Sequence, residues 1–302
     1  MYYFIYPSKD AYIYELNDNS EKNFGGDNNL VLKKEFDGTV LKGVSRVLLH
    51  FDLTELSNSI ASNEITTSLD GNGVSPKYFL RLYEQKTSEL SPAYSLATFP
   101  LSSSWEDGTG YTTQDPNNRN GVSWERTNES FDNTKWVKTA SGFSGSRNIP
   151  GGGVWITGSG YYASQSFSYQ SPDVNMDITD MVNNWITGST ANNYVENYGL
   201  ILKWSGSQED SSTETGHINF FSSNANSIYS PKIEVRWDEH TNDYGGTIQD
   251  YEEEFGDGTG TFDYPDVPSN PITIDGTDDN YMFMIGLRKT YKETENPRFR
   301  IA

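Results

Sequence analysis

A chain of 302 residues with a net charge of −20, 34% hydrophobic and 14% aromatic content, 27 glycines and no cysteine excludes several classes of protein at once. An acidic surface repels phosphate backbones, so nucleic acid is not the expected ligand, and without thiols neither a disulfide nor a thiolate metal site can hold the fold. The apolar runs are too short to cross a membrane. The first ten residues lack the basic start, apolar stretch and cleavage site of a secretory signal, so a soluble protein made in the cytoplasm is expected.

Strand signals recur from the start of the chain, at Ala11 to Leu16, Leu30 to Lys34, Ser45 to Leu53 and Tyr78 to Tyr83. Each is short and rich in aromatic or branched residues. The run Arg46-Val47-Leu48-Leu49-His50-Phe51 alternates only loosely, which suits a central strand covered on both faces. In Tyr78 to Tyr83 the period is strictly two, with Tyr78, Leu80 and Leu82 on one face and Phe79, Arg81 and Tyr83 on the other. From Leu101 to Ser171 four tryptophans stand among many Gly, Ser, Thr and Asn residues, and long loops with short strands are expected there. One helix follows. Asp177 or Thr179 can cap it, Ile178, Met181, Val182 and Trp185 recur at spacings of three and four, and Gly188 lies beyond its end. Tyr198 to Trp204, His217 to Ser222 and Lys232 to Trp237 then read as strands.

After Trp237 the composition changes. Residues 238–280 hold 13 Asp or Glu and no Lys or Arg, residues 281–302 carry +3, and by difference residues 1–237 carry −10. The sequence therefore divides into a β-sandwich module over 1–237, an acidic Pro- and Gly-containing linker over 238–280, and two C-terminal strands within 281–302. Two lone strands cannot build a core. They must pair with the module, join another chain or begin a further module.

The ordered features resemble a known family, the DNRLRE-type β-sandwich module, which overlaps with alginate-type carbohydrate-binding modules. The resemblance rests on Asp10-Ala11-Tyr12-Ile13, on Asn23-Phe24-Gly25-Gly26-Asp27 leading into a strand, on Arg46 to Leu53, and on Trp105-Glu106-Asp107-Gly108 with Gly121-Val122-Ser123-Trp124. It continues through Met176 to Trp185, Tyr198-Gly199-Leu200-Ile201-Leu202 and Ser230 to Val235. The short sequence that names the family is absent from this chain. The resemblance implies an all-β, antiparallel, jelly-roll-like sandwich with one short helix that binds polysaccharide or other proteins without catalysis of its own. Such modules also occur in structural proteins of tailed bacteriophages, and the missing signal, the missing cysteines and the early first strand favour that setting. The expectation is a non-catalytic virion component of a tail, baseplate or fibre, with other virion proteins or further copies of itself as partners. The alternative is a carbohydrate-binding module for a bacterial surface polysaccharide.

Candidate chemistry is sparse. Glu106 with Asp107 and Asp177 with Asp180 are carboxylate pairs of the kind a glycosidase needs, but among 42 acidic residues such neighbours are more often loop solvation and helix caps. His50, His217 and His240 are isolated in sequence. Asp70-Gly71-Asn72-Gly73, Asp107-Gly108-Thr109-Gly110 and Asp257-Gly258-Thr259-Gly260 lack the full oxygen ladder of a calcium loop and read as turns. No cofactor and no metal ligand set is assigned, although sandwiches of this kind sometimes hold a structural calcium, for which Asp10 and Asp27 are the candidates. Sugar rings stack on aromatic faces, which makes Trp105, Trp124, Trp136 and Trp155 the ligand-binding candidates. The competing use of those four rings is to cap the core of a loop-heavy sandwich. Gly151-Gly152-Gly153 is not a phosphate loop, because no Lys-Ser or Lys-Thr follows it.

Overall fold

The computed structural model describes residues 2–15, 19–62, 64–65, 76–131, 134–136, 151–168, 171–186, 191–213, 215–237, 284–285 and 300–301. Two units are distinguished, Met1–Asp238 and Glu239–Ala302. In the second, β13 (Met284–Ile285) pairs antiparallel with β14 (Arg300–Ile301), Met284 standing opposite Ile301. The acidic stretch 238–280 lies outside the described residues.

The first unit is an all-β sandwich of two antiparallel sheets. The smaller sheet has the order β1-β12-β5-β9, from Tyr2–Ile5, Lys232–Arg236, Lys77–Leu82 and Val174–Asp177. The larger runs β6-β11-β3-β4-β10-β7-β8, from Glu84–Ser88, His217–Phe221, Asn29–Asp37, Val40–Phe51, Leu200–Trp204, Ala93–Pro100 and Ala163–Ser168. The remaining strand, β2 (Pro7–Tyr14), pairs with β4. Strand β4 is the hub: its first residues pair with β3, and its later ones lie between β2 and β10. Every residue from Gly43 to Leu49 is buried, as a strand covered on both faces requires.

Alternation sorts the side chains into two cores. Between the sheets, Ile5, Ile233, Val235, Tyr78, Leu80, Leu82 and Met176 of the small sheet meet Val47, Leu49, Leu200, Leu202, Leu32 and Phe220 of the large one. Residues of opposite parity on the large sheet, Ala11, Ile13, Val44, Leu48 and Ile201, form a second core with Leu101, Trp105, Val122, Trp124, Trp136 and Trp155. The large sheet is therefore covered on its outer side, over β2, β4 and β10, by the long connections between β7 and β8. The expected long loops are present there, and they act as a packed layer.

Among the described residues two α-helices are found where one was expected. The expected one, α2 (Thr179–Ile186), starts where Asp177 Oδ1 accepts the Thr179 backbone N–H at 2.9 Å, and it buries Met181, Val182 and Trp185 in the inter-sheet core. The other, α1 (Thr54–Ala61), follows β4 directly, with Asp52 Oδ1 taking the Thr54 N–H at 2.9 Å and Leu56 buried. No helix among the described residues is long and apolar enough to cross a membrane.

A buried ion triad joins β4 and β10 to the turn that follows β10, and its Arg46 also contacts the loop layer. Arg46 on β4 donates through Nε and Nη2 to the two carboxylate oxygens of Glu209, each at 2.9 Å, and Lys203 Nζ on β10 lies 2.9 Å from Glu209 Oε2. Arg46, Glu209 and Lys203 are all buried. The Arg46 guanidinium also lies 4.8 Å from the Trp124 ring centroid and 5.1 Å from that of Trp155, within cation–π range. Its Nη1 donates to the Gly152 carbonyl. Glycine is required there, since φ is +83° and a Cβ would run into the guanidinium and the Trp124 ring.

Burial alone would raise the Glu209 carboxyl, but the Arg46 and Lys203 charges and hydrogen bonds outweigh it and hold it at about 2. Burial lowers Lys203, with Glu209 opposing that shift. Because the folded Glu209 lies below its ordinary 4.5, its contribution is complete above pH 4.5 and fades as pH falls toward about 2. Glu209→Gln strands two buried cations and is expected to cost about 3–5 kcal/mol in urea unfolding at pH 7. The variant should also lose part of the acid dependence between pH 4.5 and 2.

Candidate functional site

The outer face of the small sheet carries accessible rings and charges. Its residues follow from register. Tyr2 stands opposite Arg236 and Arg236 opposite Lys77; Phe4 opposite Glu234, Glu234 opposite Phe79 and Phe79 opposite Asp177; Lys232 opposite Arg81 and Arg81 opposite Asn175. Directly opposed residues share a face, so these rows form one surface of rings and charges.

The rings lie mainly toward the β1 edge. Tyr2 is 66%, Phe4 44% and Tyr6 55% exposed, and Tyr229, in the connection before β12, is 46% exposed. Lys232 stands among them, its Nζ 4.9 Å from the Phe4 ring centroid, 5.1 Å from Tyr83 and 5.9 Å from Tyr6. Tyr229 extends the cluster, with centroids 5.5 Å from Tyr83 and 5.6 Å from Phe221. Residues two apart on a strand are about 6.5–7 Å apart, so Tyr2 and Phe4 present neighbouring rings along one edge.

The charges are organised by Glu234. Arg236 donates to both of its carboxylate oxygens, at 2.9 and 3.1 Å, and Arg81 Nε lies 3.3 Å away. The hydrogen bonds from Arg236 are the main reason the Glu234 carboxyl sits below the usual range, and the same bonds raise Arg236. The Arg236 guanidinium in turn lies 4.1 Å from the Phe79 centroid. Lys77, Arg81, Lys232 and Arg236 face Glu234 and Asp177, an excess of cations on a module whose total is negative.

The four tryptophans expected as ligand candidates lie elsewhere. Trp105, Trp124, Trp136 and Trp155 are only 1–6% exposed and pack in the second core. The Trp105 and Trp136 ring N–H groups donate to the backbone carbonyls of Tyr198 and Ser123. The structure corrects the expectation of an exposed platform in those loops: the rings cover a strongly apolar sheet face and a buried guanidinium, and none presents a free surface. The rings that are exposed were legible by parity. Tyr2, Phe4 and Tyr6 alternate along the first segment, and Phe79, Arg81 and Tyr83 share one of the two faces that period-two alternation separates.

The candidate chemical groups do not converge. Among the described residues no group of three or more His, Cys, Asp or Glu is placed to hold a metal ion. Asp10 accepts from the Ser223 N–H and hydroxyl, and Asp27 from Thr112 and Tyr12, so both carboxylates proposed for calcium are engaged by protein donors. Glu106 pairs with Lys9 at 3.0 Å, Asp107 accepts the Gly108 N–H, and Asp177 caps α2. His50 lies between Ser8 and the Asn197 carbonyl, and His217 beside Asn219. His240 and the turns at Asp70 and Asp257 lie outside the described residues.

Residues 1–146 match the family model of Carbohydrate-binding module family 96. A search of the curated proteins finds no match. The matched stretch contains β1 and β5, hence Tyr2, Phe4, Tyr6, Phe79, Arg81 and Tyr83, whereas Lys232, Arg236 and Tyr229 come from beyond it.

The two sets of aromatics separate by stability. Trp124→Ala should cost about 3–5 kcal/mol in thermal or urea unfolding, the range for emptying a large core site. Phe4→Ala, on the open face, should stay within about 0.5 kcal/mol of the wild type.

Proposed function

We propose that this chain binds polysaccharide along the outer face of the small sheet. The observation that carries the reading is the gathering of Phe4, Tyr6 and Tyr83 around Lys232, with Tyr229 against Tyr83, on an accessible sheet surface. Exposed rings next to charged hydrogen-bonding groups are what sugar recognition needs, since the C–H face of a pyranose stacks on a ring while its hydroxyls seek polar partners. The match of residues 1–146 to a carbohydrate-binding family supports the same reading. It favours carbohydrate binding over the tailed-phage assembly role, to which the comparisons lend nothing.

The local excess of cations extends the proposal to a glycan bearing carboxylates, of which alginate is an example. Lys232 and Lys77 offer point charges, and the Arg81–Glu234–Arg236 group offers donors held in fixed orientation. Affinity electrophoresis of the full chain in gels containing neutral or uronate-rich polysaccharide tests the proposal. Retardation is expected in the uronate gel and should weaken as salt rises. Lys232→Ala and Tyr229→Ala should each weaken binding about three- to tenfold, some 0.7–1.4 kcal/mol. Unretarded migration of the wild type in every gel would remove the basis of the proposal.

A further inference from the structure

Strand β11 carries a second outward row beyond the ring cluster. Ile218 and Phe220 point into the inter-sheet core, so His217, Asn219 and Phe221 share the opposite, partly exposed face. Register sets their neighbours: Ser88 of β6 and Lys33 of β3 flank His217, Lys86 and Val31 flank Asn219, and Asn29 stands beside Phe221. We propose that this row is a further segment of the glycan site, in which His217 holds the carboxylate of a uronate and strengthens binding as the solution is acidified. The inference rests on the carbohydrate-binding reading above. It adds to that reading a place and a control by pH.

The first support is continuity. Lys232 Nζ lies 5.1 Å from the Tyr83 ring centroid, the Tyr83 and Tyr229 centroids are 5.5 Å apart, and those of Tyr229 and Phe221 5.6 Å apart. The Phe221 N–H also donates to the Tyr83 carbonyl at 3.1 Å, which seats β11 beside the junction of β5 and β6. Rings therefore run without a break from Lys232 to β11, and from Phe221 to His217 the same face continues for about 13–14 Å.

The second support is charge. Lys33 and Glu35 on β3, Lys86 on β6 and Glu89 directly after it surround His217. Lys33 Nζ pairs with Glu35 Oε2 at 3.0 Å, and the Tyr14 hydroxyl donates to the same oxygen. Two cations against two anions cancel, so the imidazole decides the sign of the patch. Its Nε2 lies 2.9 Å from Asn219 Oδ1; with that oxygen accepting, Nε2 carries the hydrogen of the neutral ring and acid adds the second at Nδ1. Burial, helped by the two lysines, holds His217 below its ordinary 6.5, so the patch is neutral at pH 7 and gains its positive charge in acid. A uronate carboxylate, ordinarily titrating near about 3–4, stays ionised through that change. An anion favours the protonated ring, so affinity rises as pH falls through the His217 range, and the bound carboxylate in turn raises that range.

The test titrates the full chain calorimetrically with a hexameric oligouronate from alginate and with cellohexaose, at about pH 7.5 and about pH 5.5 and fixed ionic strength. NMR titration of the histidine rings runs in parallel, with His217→Gln assigning the His217 signals. Oligouronate affinity should rise about three- to tenfold on acidification, and cellohexaose should show no such rise. His217→Gln should abolish the rise, His50→Gln should keep it, and in the wild type saturating oligouronate should move the His217 titration to higher pH. Unfolding curves matching the wild type establish that the variants are folded. The proposal is overturned if His217→Gln keeps the pH dependence, if oligouronate leaves the His217 titration unmoved, or if the wild type binds no oligouronate at either pH. Weaker binding in Lys232→Ala at both pH values, with the pH dependence intact in His217→Gln, would remove this proposal and leave the sheet-face reading standing. Acid-strengthened binding that is lost in His217→Gln and indifferent to Lys232→Ala and Tyr229→Ala would do the reverse.

Discussion

The Arg46–Glu209–Lys203 triad is the constraint on which the arrangement of surfaces depends. A sandwich of two sheets has two outer faces, and an aromatic-rich chain must decide what each of them meets. Here the larger sheet carries Ala11, Ile13, Val44, Leu48 and Ile201 outward, a set too apolar to leave in water. The connection between β7 and β8 folds over them, and Arg46 of the triad contacts it there: Glu209 joins two neighbouring strands through Arg46 and Lys203, while Trp124, Trp155 and the Gly152 carbonyl close around the guanidinium. Replacing a buried charge group by well-packed hydrophobes is often neutral in other proteins, so energy alone is a weak reason for its presence. Its geometry supplies a better one. The bidentate carboxylate of Glu209 fixes the Arg46 guanidinium, and the fixed guanidinium sets where the Gly152 carbonyl and the Trp124 and Trp155 rings of the covering layer can sit.

The chain order makes the outer face of the small sheet dependent on the whole module. Strand β12 sits between β1 and β5, so its Lys232, Glu234 and Arg236 separate the rings of the first strand from Phe79 and Arg81. The residues that match the carbohydrate-binding family supply the flanking strands of this surface, and the last strand of the unit supplies its centre. A fragment ending at residue 146 lacks that centre and would leave β1 with no neighbour to pair with.

Much of this was legible in the sequence, and the failures have specific causes. Period-two alternation placed β5 correctly and divided its faces, and the unbroken run from Arg46 marked the most buried strand. Strands β7 and β8 escaped because Ala93–Pro100 and Ala163–Ser168 are built largely from Ala, Ser and Thr, whose alternation is too weak to register against loop sequence. Helix α1 escaped because Leu53 reads as the end of the preceding strand and Leu56 alone is buried in the eight residues that follow. The tryptophans misled for a different reason. Local composition reports how a segment is connected, and Gly, Ser and Asn around a ring imply a loop; whether that loop lies in water or against a second apolar sheet face is a tertiary fact that local composition does not encode.

Net charge is the remaining point at which a whole-chain quantity and a local one part. Of the −20, residues 238–280 account for −13 and residues 1–237 for −10, offset by +3 at the end, so the total describes the tail as much as the module. At physiological ionic strength, fields between exposed charges decay over about 8 Å, a distance spanning roughly two strands of a sheet. A ligand on the small sheet therefore responds chiefly to Lys77, Arg81, Lys232 and Arg236 with Glu234, and one at the β9 edge chiefly to Asp177 and Asp180 with Lys77. Surfaces of opposite charge can then coexist within a few strand widths of one sheet.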